Sequence, residues 1–463
     1  MRLTQLIKAF VRSAAYERRF LAKNPWDLSM VVWIPLVTVL LVWWIFSQTQ
    51  ITDLPIGVID QDNGPVANTA VRYLEASPTL TVRQLYHSKA EAEVAILQRD
   101  VYAIVVIPDD FSRHILSGKS APLILQVNAQ YGTHSGIIQT SVQGVAGTLS
   151  AGVKIQRLIK QGMAPSQADI AYSPIKIQRI SLFNTATNYQ QFLASTVIPA
   201  LLHILAMVIG ATTIGRELRD KKLGHWYHFI QTGRPNLLTI NETPNTNGTS
   251  NTKETLSTKK TLNENPEQTT SRVEIANTNN NQGIEIKESL SHKIPNHVSV
   301  AVLLSGLLGK YFWPMLAYSV WGMLALWLAA PQDSIAISSL IVTYIGLLLL
   351  IMLSFWLGAI FTLRSFSLRM GLSSTAFISA PSYAFAGVTF PYIAISSSAQ
   401  YWSNVLPLTH YLKLHIAQLQ MQAPATISLP IVYGLTIAAM IAWLLTALLT
   451  KRALAHPERW GAR

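Results

Sequence analysis

The sequence predicts an α-helical integral membrane protein with six transmembrane helices and an α/β domain inserted between the first two. Three observations predict it. Six segments, roughly 28–47, 190–214, 311–330, 335–363, 370–390 and 428–450, are apolar and contain no Asp, Glu, Lys or Arg. Each reaches the roughly 20 residues that a helix needs to cross a bilayer core of about 30 Å. The stretch 50–187 between the first two is polar and alternates strand and helix signals. Half of the 463 residues are apolar and only 13% are charged, which leaves no room for a soluble reading.

The net charge of +13 is distributed by position. Basic residues cluster before the first segment (Arg2, Lys8, Arg12, Arg18, Arg19, Lys23), after the second (Arg216, Arg219, Lys221, Lys222), after the fourth (Arg364, Arg369) and in the tail (Lys451, Arg452, Arg459, Arg463). The loop around Pro331–Asp333 has none, and 391–427 has only Lys413. The positive-inside rule then puts both termini in the cytoplasm. Short clusters at span ends meet lipid headgroups, and they form no continuous surface for nucleic acid. There is no cysteine, so disulfides and thiolate chemistry are excluded.

Residues 1–26 form the first element. Leu3, Leu6, Ile7, Phe10, Val11 and Ala14 share one face at helical spacing, and Arg2, Arg12, Glu17 and Arg19 fall mostly elsewhere. Such a helix either lies in the membrane interface or packs on cytoplasmic neighbours. The first span, 27–48, ends in Trp43-Trp44-Ile45-Phe46 instead of a small-residue cleavage site, which reads as a retained anchor.

The α/β domain occupies 49–188, on the side opposite the termini. Strands are expected at 55–60, 80–86, 101–107 and 123–128, and helices at 65–75, 90–98, 110–117 and 137–160. A strand at 175–182 would return to the membrane. His87, His114 and His134 lack metal-ligand spacing, so no metal site is expected.

The second span, 189–214, leads into a cytoplasmic segment, 215–234. Gly215 to Gly224 reads as a mixed-charge helix, suited to a partner's polar surface or to lipid phosphates. Residues 235–297 are an insert in which 241–296 is dominated by Asn, Thr, Glu, Lys and Ser, with too little apolar surface to fold, so disorder is expected. Their sequons at Asn241 and Asn247 fall on the cytoplasmic side and read as chance matches.

The third span follows within 298–330, the fourth is 335–363 and the fifth 370–390. Pro381, Gly387, Pro391 and Pro407 interrupt the apolar stretch 380–408. With 391–427 this reads as an outer re-entrant or interfacial segment, or as a plain apolar loop. The sixth span, 428–450, precedes the cytoplasmic tail, 451–463.

Chemistry in this chain is conspicuous by what is missing. Gly306-Leu307-Leu308-Gly309-Lys310-Tyr311 is the nearest approach to a phosphate-binding loop. Leu304 stands where its first glycine belongs, and Tyr311 replaces the magnesium-holding Ser or Thr. No catalytic constellation is present, so the chain reads as a non-enzyme.

The parts in this order resemble the ABC-2 type exporter permeases, in the subgroup with a large periplasmic domain between the first and second spans. The resemblance covers nearly the whole chain except 235–297. It rests on Val58-Ile59-Asp60-Gln61-Asp62, Ser77-Pro78, Ala90-Glu91-Ala92 and Ile107-Pro108-Asp109-Asp110-Phe111-Ser112-Arg113 in the domain. Further matches are Arg216-Glu217, Gly309-Lys310, Ala386-Gly387-Val388-Thr389-Phe390-Pro391 and Leu406-Pro407-Leu408-Thr409-His410-Tyr411. Two departures stand out: Gly224 comes late and is followed by His225, and Thr185 stands where Pro is common.

The resemblance implies export across a bacterial inner membrane, and the uncharged spans favour an amphiphilic, drug-like or lipid-like cargo over a small ion. It implies a separate cytoplasmic ABC ATPase subunit that carries the ATP and magnesium, and a second permease copy or paralogue. A periplasmic membrane-fusion adaptor is a further implied partner. It assigns ATPase coupling to Arg216, Glu217, Arg219, Lys221, Lys222 and Gly224, so that Glu217→Arg is expected to uncouple export and leave insertion intact. It assigns the start of the third span to Gly309 and Lys310, and an outer gate or hairpin to Pro381, Phe385, Gly387, Phe390 and Pro391. The alternative is an envelope receptor or structural protein whose soluble domain binds a partner.

Overall fold

A computed structural model describes residues 3–47, 50–172, 183, 188–234, 298–330 and 336–461. It divides into two compact units: Ile45–Ala194, and a second made of Met1–Trp44 with Ser195–Arg463. The strand expected at 175–182, the insert 235–297 and the loop around Pro331–Asp333 lie outside the described residues.

The Ile45–Ala194 unit is a four-stranded sheet in the order β2-β1-β3-β4. β1 (Leu54–Asp60) pairs parallel with β2 (Leu80–Leu85) and β3 (Ala103–Ile107), and β4 (Ile124–Val127) closes one edge antiparallel to β3. Period-two alternation decides the faces. Ala103, Val105 and Ile107 enter one core with α4 (Pro65–Glu75), α6 (Phe111–Leu116) and α7 (Gly132–Lys160). Ile104 enters the opposite core with Tyr86 and with Ala92 and Ala95 of α5 (Lys89–Gln98). A further helix, α8 (Pro165–Tyr172), has no counterpart in the sequence reading. Each expected strand and helix from 54 to 160 lies within a few residues of an observed one.

In the other unit, α1 (Leu3–Lys23) stops where Pro25 forces Asn24 into extended backbone, at φ −120° and ψ 92°. Pro25 then opens α2 (Pro25–Val31) as its first residue. The expected first span is a bent pair, α2 and α3 (Trp33–Ile45), angled at 40°. Pro35 explains the bend: it has no N–H for the carbonyl of Val31, and its ring crowds that carbonyl.

Four single helices are long and apolar enough to cross a membrane among the described residues. They are α9 (Ser195–Arg219, continued backward by a π turn over Gln190–Ala194), α11 (Val300–Ala329), α12 (Ile337–Ser365) and α17 (Ala425–Ala455). A shorter helix, α10 (Leu223–Thr232), follows α9. α9 and α12 are the most extensively packed pair. Their closeness is written in two glycines: a Cβ on Gly210 would strike the Phe355 carbonyl, and one on Gly358 would strike the Met207 carbonyl. His203 bridges the same pair through Nδ1 and Ser354 Oγ at 2.6 Å. The Ser354 hydroxyl donates to Leu350 O, which leaves its oxygen to accept from His203.

Three expectations are corrected. The third span starts at Val300, so Gly309 and Lys310 lie a third of the way along its helix. The segment expected as the fifth span, 370–390, is the 12-residue α13 (Leu368–Ser379) followed by the short α14 (Ser382–Phe385). At 1.5 Å per residue α13 reaches about 18 Å, short of a bilayer core. Pro381 ends it, because a proline withholds the donor that continuation requires. The mixed-charge helix expected over 215–224 ends at Arg219: Lys221 turns left-handed (φ 55°), and its N–H and that of Lys222 close back on Leu218 O and Glu217 O.

Beyond α14 the chain turns at Gly387 (φ 78°), runs through α15 (Ser397–Val405) and α16 (Pro407–His415), and reaches α17.

Candidate functional site

The site begins with the underside of α1. Its buried residues are Ala9, Ser13, Glu17 and Leu21, four apart, and they face α11. Leu3, Ile7 and Val11 are exposed. The small and polar stripe packs inward while this apolar stripe faces out, as an interfacial helix requires. Glu17 was expected off the apolar face of α1, and it is completely buried on the packed one. Gly309 admits the close approach, since a Cβ there would strike the Phe10 carbonyl. Ser305 Oγ donates to Leu6 O (2.6 Å) and Trp313 Nε1 to Ala14 O (3.0 Å), pinning α1 along α11.

Four buried ionisable groups meet at this junction: Glu17 from α1, Arg216 and Glu217 from the end of α9, and Lys310 from α11. Lys310 Nζ donates to Glu217 Oε1 at 2.7 Å and to Glu17 Oε2 at 3.4 Å. Arg216 pairs with the other Glu17 oxygen and approaches Asp27 Oδ1 at 3.6 Å. Phe20 lies under the Arg216 guanidinium at 3.8 Å. Tyr16 and Trp226 stand at 5.0 and 5.4 Å from Lys310 Nζ. Two acids and two bases cancel in the buried set, which is the condition under which charges survive away from water. Burial, and next the carboxylate of Glu217, push the Tyr16 phenol upward in pKa, so it stays a neutral donor to Glu217 Oε2 at 3.4 Å.

α10 completes the junction. Arg12 of α1 donates to the carbonyls of Ile230 and Gln231, at the negative end of α10, and Gly233 (φ 76°) provides the left-handed stop. Trp226 Nε1 donates to Ser13 Oγ at 3.0 Å. The six residues expected to couple to a partner therefore separate. Arg216 and Glu217 face inward; Arg219, Lys221 and Lys222 are exposed at the turn, with Arg219 paired to Asp220 at 2.8 Å. Gly224 lies near the Trp460 ring in the first turn of α10. Sequence reasoning found Lys310 and the Arg216-Glu217 pair, but it did not bring them together.

At the other end of the helices, Phe385 is half-buried, and its carbonyl accepts from Ser403 Oγ at 2.7 Å. Phe390 is 52% exposed, and Pro391 is exposed beside it. Pro381 caps α14 and is partly buried, while Gly387 supplies the turn. An apolar groove of about 720 Å³ runs between α12, α16 and α17, with Leu353, Leu357, Leu435 and Ile441 along its walls and Asn404 and His410 at one end.

No curated protein matches the chain. A family model described as ABC-2 family transporter protein matches residues 25–241, which run from α2 through the α/β unit, α9 and α10. That stretch bears out the resemblance to the ABC-2 transporter family read from the motifs, and it agrees with the multi-pass helical architecture.

Proposed function

We propose that the chain is the permease subunit of an ATP-driven exporter in a bacterial inner membrane, working with a separate cytoplasmic ABC ATPase subunit and a second permease copy or paralogue. The observation that carries this reading is the junction at the foot of α9. The charge cluster and the Arg12 cap fasten interfacial α1 to the end of α9, to α10 and to α11. A push on the exposed turn Arg219–Lys222 would then move several helices as one body, switching the pathway between inward and outward exposure.

In this reading both termini are cytoplasmic, the Ile45–Ala194 unit is periplasmic and open to a membrane-fusion adaptor, and α13 with α14 forms a sixth, broken passage. The hairpin carrying Phe385, Gly387 and Phe390 acts as the outer gate. The apolar groove beside α12 and α17 suits an amphiphilic or lipid-like cargo. ATP and magnesium belong to the partner.

The chain has no cysteine, so a Lys222→Cys variant carries a unique thiol. A photo-crosslinker attached there in native membranes captures an ATP-binding polypeptide, and the same probe at Asn404→Cys does not. Capture from position 404 alone overturns the assignment.

A further inference from the structure

Beside the charge cluster there is a cavity. It lies between α1, α2 and α9, has a volume of about 210 Å³, and is walled by Leu21, Met30, Val31, Val208 and Ile209. Trp26, 79% exposed, stands at its edge. Three charged residues line it, and they differ in access. The Glu17 side chain is inaccessible and that of Arg216 is 6% exposed, whereas that of Asp27 is 35% exposed. The charge a ligand meets first is therefore a carboxylate.

The balance of charge points the same way. Glu17, Glu217 and Asp27 face Arg216 and Lys310, which leaves one negative charge in excess. The exposed neighbours Arg219 and Asp220 neutralise each other. Asp27 approaches Arg216 at 3.6 Å, longer than the 2.7–2.9 Å typical of a charge-assisted hydrogen bond. Its oxygens keep capacity for another donor. Arg216 is turned to Glu17 and to the Phe20 ring, and its Nε has no hydrogen-bond partner. An anionic group would have to pass Asp27 to reach it.

We propose that this cavity binds the ammonium headgroup of a cationic amphiphile, with Asp27 as counter-ion and the Trp26 indole against the cation. An indole face attracts ammonium groups, and tryptophan belongs at the membrane interface. The cavity is smaller than the 300–1,000 Å³ that usually encloses a whole drug-sized ligand. It holds the headgroup and the first carbons, and the apolar tail continues along Met30 and Val208 into the lipid. The inference deepens the exporter reading and rests on it, since it narrows the amphiphilic cargo to cations collected at the cytoplasmic leaflet.

The test is photolabelling of the full-length protein in maltoside micelles. The probe is a primary alkylammonium with a diazirine beside the headgroup, compared with an alkyl phosphate carrying the same diazirine, and labelled peptides are mapped by mass spectrometry. The ammonium probe is expected to label residues 26–31 and 208–213, in competition with unlabelled ammonium. Asp27→Asn lowers that labelling about tenfold, the loss of one charge-assisted contact, and Asp27→Glu retains most of it. Trp26→Ala lowers it as well and covers the case in which Asp27→Asn fails to fold. Equal labelling of these peptides by the alkyl phosphate, or unchanged labelling in a folded Asp27→Asn protein, overturns the proposal. Binding is read without any ATPase, so the site and the exporter reading fail separately.

Discussion

Lys310 reaches neither solvent nor headgroups; its ammonium is spent on Glu217 and Glu17 in a space with no water-accessible surface. Removing one partner of such a set strands the others. Lys310→Met should cost about 3–5 kcal/mol, read as a clear fall in the thermal midpoint of the purified protein in detergent. Adding Glu217→Gln to Lys310→Met should recover part of the loss; a midpoint equal to the parent's for Lys310→Met contradicts the network. The same geometry revises the expectation for Glu217→Arg, which would bring a third cation beside Lys310 and Arg216 and so impair the fold along with coupling. The exposed pair Lys221 and Lys222 separates the two effects. Lys221→Glu with Lys222→Glu should reduce ATPase association severalfold and leave the thermal midpoint within about 0.5 kcal/mol of the parent's stability; an equal loss of stability would show that the turn is structural only. The acids and bases were legible one by one. What hid their meeting was Glu17, whose place on the α1 surface depends on which stripe packs. The outward stripe Leu3-Ile7-Val11 carries the stronger hydrophobic signal, and it is the exposed stripe instead of the packed one.

At the scale of elements, the α/β unit was readable because its signals are local. Alternation set the strands, and Pro65 marked the start of α4. Asp62 shows how tightly one such turn is held: its Oδ2 accepts from the backbone N–H of Gly64 (3.2 Å) and of Ser112 (3.1 Å), tying the β1–α4 turn to α6. Burial works to raise the Asp62 pKa, but the hydrogen bonds from Ser112 and Gly64 outweigh it and the net shift is downward. A folded pKa below the unfolded value of about 3.9 means stability that is complete above that value. It is lost as pH falls through the folded one. Asp62→Asn should flatten the acid limb of a stability-against-pH curve, and an unchanged limb would remove Asp62 from the turn's energetics.

The helical spans were readable as apolar runs, and Pro381 was readable as an interruption, but the shortness of the helix before it was not. Pro381 cuts α13 to 12 residues while composition stays apolar through 390, and hydropathy cannot see a missing N–H. Close crossing of α9 and α12 likewise rests on single atoms. Gly358→Val should prevent the approach to Met207 O and abolish accumulation of the inserted protein, as judged by membrane-fraction immunoblot; normal accumulation contradicts the crossing.

For the whole molecule, the family match ends at 241, where the polar stretch begins, and α11, α12 and α17 follow as further long apolar helices. Residues 242–290 are dominated by polar and charged side chains. Their deletion should leave membrane insertion and thermal midpoint unchanged, and loss of the inserted protein would contradict that. The order of parts was legible from patterning, whereas the junction that makes them one machine was not. It joins residues as much as 293 positions apart, beyond the reach of any periodicity. We propose that this junction answers to a separate ATPase. The most direct measurement is gentle purification of the tagged chain from its native membrane, with mass spectrometry of what accompanies it. A stoichiometric ATP-binding subunit is expected, and it is lost from the Lys221→Glu, Lys222→Glu protein. A periplasmic or surface partner with no ATP-binding subunit would contradict it.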